Sequence, residues 1–184
     1  MGDKENRSNF KGDNLPVENV SWNDIQKFLK ILNEKTGKNY RLPSEAEWEF
    51  AAREGGKNLR FGNGKDIADP AQMNFNGGSD YKKDYSVVGV YRAKTTKVGS
   101  FSANSLGLFD MSGNVYEWCQ DVYHDRYKGA PADGSAWTSG GDNSVRVCRG
   151  GSWVNDPNDC RASLRSYGTA TDRYSYLGFR LSRH

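Results

Sequence analysis

Gly107-Leu108-Phe109-Asp110-Met111-Ser112-Gly113-Asn114-Val115-Tyr116-Glu117-Trp118 is the stretch on which the fold turns. Gly113-Asn114 suits a tight turn with positive φ, a backbone state open to glycine and tolerated by asparagine. Trp118 follows closely and supplies a large ring for a core. From Lys57 onward helical spacing is absent, and Asn, Gly, Asp and Tyr alternate with short apolar pieces such as Ser86 to Tyr91. That pattern reads as loops, turns and short strands, with Val145 to Cys148 and Gly178 to Leu181 as the best strand candidates.

Upstream the pattern changes. Residues Met1 to Pro16 are polar and read as loop or extended arm, and Val17 to Val20 as a short extended entry. Ser21 is a good N-cap with Asp24 three residues on, and Ile25, Phe28, Leu29 and Leu32 follow at helical spacing up to Gly37. Ser44 and Glu47 form a capping box for a second helix whose buried stripe is Trp48, Ala51 and Ala52, ending at Gly55-Gly56. Two helices followed by irregular β structure make the chain α+β.

Composition narrows the class. The 184 residues suffice for one compact domain, spanning 1–184. With 21 Gly and only 35% hydrophobic residues, long helical bundles are excluded, and the core must rest on a few large rings. A scattered net charge of +3 marks a mixed solvated surface rather than a nucleic-acid binder. No run approaches a membrane span, and no apolar leader core follows Met1. Cys119, Cys148 and Cys160 are odd in number and include no CxxC pair, so buried thiols or one optional disulfide are favoured over zinc or catalysis.

Several strings, in order, resemble one family. They are Pro16-Val17-Glu18-Asn19-Val20-Ser21-Trp22, Arg41-Leu42-Pro43-Ser44-Glu45-Ala46-Glu47-Trp48-Glu49, the Gly107–Trp118 stretch, Arg149-Gly150-Gly151-Ser152-Trp153 and Gly178-Phe179-Arg180. Their spacing is similar to that of the formylglycine-generating-enzyme, or sulfatase-modifying-factor, superfamily. The resemblance implies the formylglycine-generating-enzyme subtype of the C-type lectin-like fold, here without most of the family's earlier β-hairpin region. In a loop-rich fold, Arg41, Arg149 and Arg180 are expected to be ion-paired or bonded to loop carbonyls, with Trp118 and Trp153 as buried rings.

The resemblance also frames the chemistry. The namesake enzyme holds copper with two cysteines after the Arg-Gly-Gly-Ser motif. Here the second position matches Cys160, but the first is Asn155, and an amide cannot replace a thiolate for Cu(I). Iron-dependent relatives use a histidine cluster, whereas this chain has only His124 and His184. The expectation is a non-catalytic protein. With copper and iron set aside, no cofactor is expected except, as a minor candidate that the resemblance implies, calcium at Asn74, Asn104 and the Gly107 carbonyl, although such asparagines more often form Asx turns.

The C-terminal segment Trp153–Arg180 resembles the variable proteins of diversity-generating retroelements, whose error-prone copying of Asn codons cannot yield Lys, Glu, Gln, Met or Trp. Residues 154–177 contain none of these five types, as does most of Gly129 to Ser152 apart from Trp137. Candidate fixed residues (Trp153, Cys160, Arg161, Arg165, Arg173, Gly178, Phe179 and Arg180) punctuate the runs Val154–Asp156, Ser166–Gly168 and Tyr174–Tyr176. The expected ligand-binding residues are Val154, Asp156, Asp159, Leu164, Ser166, Tyr167, Gly168, Asp172, Tyr174, Ser175 and Tyr176. Tyr, Ser and Gly together provide broad, adaptable contact of the kind antibody paratopes use. The two tyrosines flanking Ser175 would share one side of an extended stretch. The partner expected is an unidentified protein or other macromolecule, bound by a monomer; the sequence does not choose between a surface-anchored, a phage-borne and a cytoplasmic parent. Two other readings stand beside this one. One is an oxidoreductase with an altered metal site, and the other is a non-diversified accessory module of the same fold.

Overall fold

The computed structural model describes residues 6–183, so the start of the polar arm and His184 lie outside the described residues. Helix α1 spans Trp22–Thr36. The Ser21 hydroxyl accepts the Asp24 N–H, the Asp24 carboxylate accepts the Ser21 N–H, and Gly37 closes the helix at φ +65°. Ile25 and Leu29 are buried, and Phe28 meets Phe179 edge-on with centroids 5.9 Å apart. After the short strand β1 (Tyr40–Arg41), Ser44 and Glu47 form the second reciprocal box and start helix α2 (Glu45–Ala52), which buries Trp48 and Ala52.

The rest of the chain is loop around a four-stranded sheet. Strands β2 (Tyr116–Val122), β3 (Val145–Arg149), β4 (Arg165–Thr169) and β5 (Leu177–Gly178) run in the order β4-β3-β2-β5. The first two pairings are antiparallel, and β2 with β5 is parallel. A separate pair joins β1 to β6 (Ser182–Arg183).

Two expectations need correction here. Gly178 to Leu181 is not one strand, because the chain changes sheets within it. Leu177–Gly178 pairs with β2, and Ser182–Arg183 pairs with β1. Between them Phe179 packs on Phe28 and Arg180 grips Glu117, so both side chains are anchored where a ladder would otherwise continue. Trp118 is fully buried as expected, but Trp153 is only half-buried. Its indole N–H donates to the Ser175 carbonyl at 3.1 Å, while Phe10 and Tyr91 pack on the ring.

The Gly113-Asn114 turn has φ of +81° and +67°. A Cβ at Gly113 would lie 2.3 Å from the Asn74 carbonyl oxygen, so glycine is required by both conformation and space.

Candidate functional site

The sheet brings the C-terminal runs together. Ladder pairing sets Ser166 opposite Cys148 and Tyr167 opposite Val147 on β3. Strand β4 has no neighbour on its outer side, so that edge of the sheet is open. The turn after Ser152 and the turn at Tyr174 form two more walls. The result is an open cleft of about 500 Å³.

Eight of the eleven expected ligand residues line this cleft: Val154, Asp159, Leu164, Ser166, Tyr167, Gly168, Tyr174 and Tyr176. They come from three segments, and strand alternation splits the middle one: Ser166 and Gly168 share the face of Cys148 and Trp118, whereas the Tyr167 ring turns to the other face against Tyr123. Tyr174 and Tyr176 stack with centroids 5.0 Å apart and planes 1° apart. The stretch is not extended, for the Leu177 N–H donates to the Tyr174 carbonyl and makes a turn. The turn, not strand alternation, sets the rings side by side. Tyr167 packs against Tyr123 at 4.3 Å yet keeps 60% of its surface exposed.

The other three residues have framework contacts instead. The Asp156 carboxylate accepts the Asn158 and Asp159 N–H groups and faces Lys83 Nζ at 3.7 Å. Asp172 accepts the Thr169 N–H at 2.8 Å and closes the turn after β4. Ser175 offers its carbonyl to Trp153. Gly168 lies in the cleft but is cramped, because a Cβ there would approach Trp118 Cη2 to 3.0 Å.

The cleft also has members the sequence did not single out. Tyr116, Cys148 and Leu177 form its floor, joined only by strand register. Burial pushes the Cys148 thiol up to about 12, and it raises the Tyr116 phenol as well. A thiol so held stays protonated and is a poor nucleophile near neutral pH.

Beneath one wall, guanidinium groups lock the frame. Arg165 grips both Glu45 oxygens at 2.6 and 2.8 Å and donates to the His124 carbonyl. Arg149, with no exposed surface, binds Glu45, Glu49 and the Ala162 carbonyl. Arg180 pairs with both oxygens of Glu117, which also accepts the Trp48 indole N–H. Arg41 binds both oxygens of Glu47. The expected pairing of Arg41, Arg149 and Arg180 is thus met.

Cys119, Cys148 and Cys160 are all free and buried, so no disulfide joins them. Cys160 sits against Gly151, where a Cβ would come within 2.6 Å of its sulfur. Burial raises its pKa. Asn155, at the other copper-ligand position, accepts the Ser152 hydroxyl and donates to Asp159 at 3.0 Å. The soft two-thiolate site that copper needs is not assembled by this pair. Among the described residues no group of three or more His, Cys, Asp or Glu side chains converges as metal ligands. His124 stacks flat on Trp137 with centroids 3.5 Å apart.

The calcium candidates are held in separate hydrogen-bond sets. The Asn104 oxygen accepts the N–H groups of Leu106 and Leu108, an Asx-type arrangement, and its amide donates to the Ala51 and Gly62 carbonyls. The Asn74 amide donates to the Lys94 carbonyl and to Asn114, while its buried oxygen has no partner among the described residues. Gly107 is exposed at φ +76°. Of the three candidates, Asn74 alone has a side-chain oxygen without a partner among the described residues.

Residues 2–184 match the model of the sulfatase-modifying factor enzyme 1-like domain. The chain belongs to that family. Among relatives of this domain, the formylglycine-generating enzyme of Streptomyces coelicolor is 33% identical over 95% of this chain and 54% of its own length. The serine/threonine-protein kinase Pkn1 of Chlamydia trachomatis serovar L2 is 34% identical over 91% of this chain but 24% of that protein. The chain therefore spans about half of the enzyme and a quarter of the kinase. Among solved structures, PvdO from Pseudomonas aeruginosa aligns with a TM-score of 0.79 at 38% identity, over 95% of this chain and 64% of that one. Treponema denticola variable protein 1 aligns at 0.74 and 28%, over 97% and 77%. The formylglycine-generating-enzyme type of fold and the likeness to a variable protein both follow.

Proposed function

We propose that this sulfatase-modifying factor domain is a non-catalytic binding protein whose C-terminal cleft presents interchangeable side chains to a protein or other macromolecular ligand. One observation carries the reading. Eight residues from three separated segments line one cleft, while Arg161, Arg165 and Arg173 between them and Trp153 just before them are tied into the frame. Exposed tyrosines supply contact area with little rotamer entropy to lose. The likeness to Treponema denticola variable protein 1 supports the same reading.

The oxidoreductase alternative is disfavoured by Asn155 and by the buried Cys160. Binding is tested with a surface-displayed library randomised at Val154, Asp159, Leu164, Ser166, Tyr167, Tyr174 and Tyr176 and selected against purified proteins. The expected result is folded binders to several targets. Collapse of expression across the library would overturn the reading, as would copper-dependent oxidation of a cysteine peptide by the purified chain. Diversification is tested in the neighbouring DNA, where a reverse transcriptase and a near-repeat differing at adenines in codons 154–176 are expected. Their absence favours a non-diversified module.

A further inference from the structure

A second surface adjoins the cleft and is made of main chain rather than variable side chains. Ser86-Val87-Val88-Gly89-Val90-Tyr91 runs extended along the outside of the molecule. The N–H groups of Val87 and Gly89 point inward, to the Ala68 and Gly77 carbonyls, both at 2.8 Å. In an extended chain alternate residues turn their N–H and C=O to opposite sides. Val88 and Val90 therefore turn theirs outward, and these groups have no partner among the described residues. The two valines are 46% and 52% exposed.

Natural sheets blunt such edges with lysine, proline or a bulge. Residues 86–91 contain neither lysine nor proline. The segment also reaches the neighbourhood of the cleft, for Tyr91 stacks on Trp153, whose chain neighbour Val154 lines it. Charge says what fits there. Exposed Lys82, Lys94 and Lys97 flank the segment against the exposed carboxylates Asp80 and Asp84, while Lys83 faces Asp156 and Arg92 donates to the Pro70 carbonyl. A second copy of the chain would bring the same positive excess to the edge.

We propose that Val88–Val90 is a docking edge that pairs with an extended apolar strand carrying acidic flanks. Only the assignment of this strand to the ligand of the neighbouring cleft rests on the function proposed above. Main-chain hydrogen bonds would hold the strand, and the flanking lysines would select it.

The probe is a synthetic peptide of about ten residues, alternating threonine and valine with glutamates at both ends, titrated into the full chain. Saturable binding is expected, with the Val88 and Val90 amides newly protected from hydrogen exchange and those of Val87 and Gly89 protected throughout. Val90→Pro should weaken binding at least about tenfold, the loss of more than one kcal/mol that removed main-chain hydrogen bonds imply. Val90→Glu should do likewise through repulsion, at a position where folding is not at stake. Peptide N-methylated at alternate residues should not bind, and a lysine-flanked peptide should bind at least tenfold more weakly. Tyr167→Ala and Tyr174→Ala should leave the peptide affinity unchanged. That separates this edge from the cleft, because failed library selection with intact peptide binding would sink the cleft reading alone. The edge proposal is overturned by absence of saturable binding up to ~1 mM. It is also overturned by binding indifferent to Val90→Pro and to N-methylation, by equal binding of the lysine-flanked peptide, or by loss of peptide binding in the tyrosine variants. Concentration-dependent dimerisation abolished by Val90→Pro would assign the edge to a second copy and equally overturn it.

Discussion

On β3, Arg149 has no exposed surface, and its guanidinium binds two glutamates and a carbonyl. One strand away on β4, Tyr167 leaves 60% of its surface in solvent and meets the frame through one ring contact. The two positions lie on neighbouring strands of one sheet, yet they answer to different physics. A buried cation must keep every partner, because removing one strands an opposite charge away from water. An exposed aromatic has no such obligation, so its identity is free for a ligand to use. The contrast teaches how a loop-rich domain keeps its shape while part of its surface remains interchangeable.

The strongest test breaks the frame. Arg149→Met leaves Glu49 without that partner and should cost about 3–5 kcal/mol in urea unfolding, or prevent folding. Gly168 tests the boundary between the regions, since it lines the cleft but lies under Trp118. Gly168→Val should cost about 1–3 kcal/mol by overpacking, also read in urea. A cost below ~0.5 kcal/mol would place Gly168 with the interchangeable residues.

The pH dependence sharpens the contrast from both sides. Burial raises the pKa of Glu18, whose carboxylate accepts the Phe10 N–H at 2.7 Å. The folded state therefore holds that proton more tightly than the unfolded chain. The resulting stability is complete below the ordinary value near 4.5 and is lost as pH rises through the folded value. Glu18→Gln should thus gain stability relative to the parent between acidic and neutral pH, measured as paired melting curves. Asp24 behaves oppositely. The Arg173 hydrogen bond lowers it to about 2, so its contribution is present above 3.8 and disappears as pH falls toward 2. The pair is exposed to solvent, so Asp24→Asn should cost only ~0.5 kcal/mol at pH 6, and the difference should vanish near pH 2.

The sequence was most legible where chemistry is local. Both capping boxes and the Gly37 stop can be read from neighbouring residues, and they form as read. The arginine pairings follow from a general rule, because a buried guanidinium needs acceptors. Strand β2 was missed because six of its seven residues are buried, which erases the alternation that marks a half-buried strand. The cleft walls were legible because each is a short run near the C-terminus. Its floor was not, since Tyr116, Cys148 and Leu177 meet only through strand register. Asp156 and Asp172 look like contact residues in sequence, but short carboxylates also cap turns, and here they do. The Val88–Val90 edge was visible only as an apolar piece, because main-chain pairing leaves no mark on side-chain identity.

The measurement closest to the central claim is thermal unfolding of one chain in which Val154, Tyr167 and Tyr174 are replaced together by asparagine or serine. These are exposed residues at the cleft. A single cooperative transition within about 5 °C of the parent is expected, as for a loss of ~1 kcal/mol in a domain of this size. A fall as large as that of Arg149→Met, or a transition that loses its cooperativity, would mean that these side chains hold the fold together, and the account would be wrong.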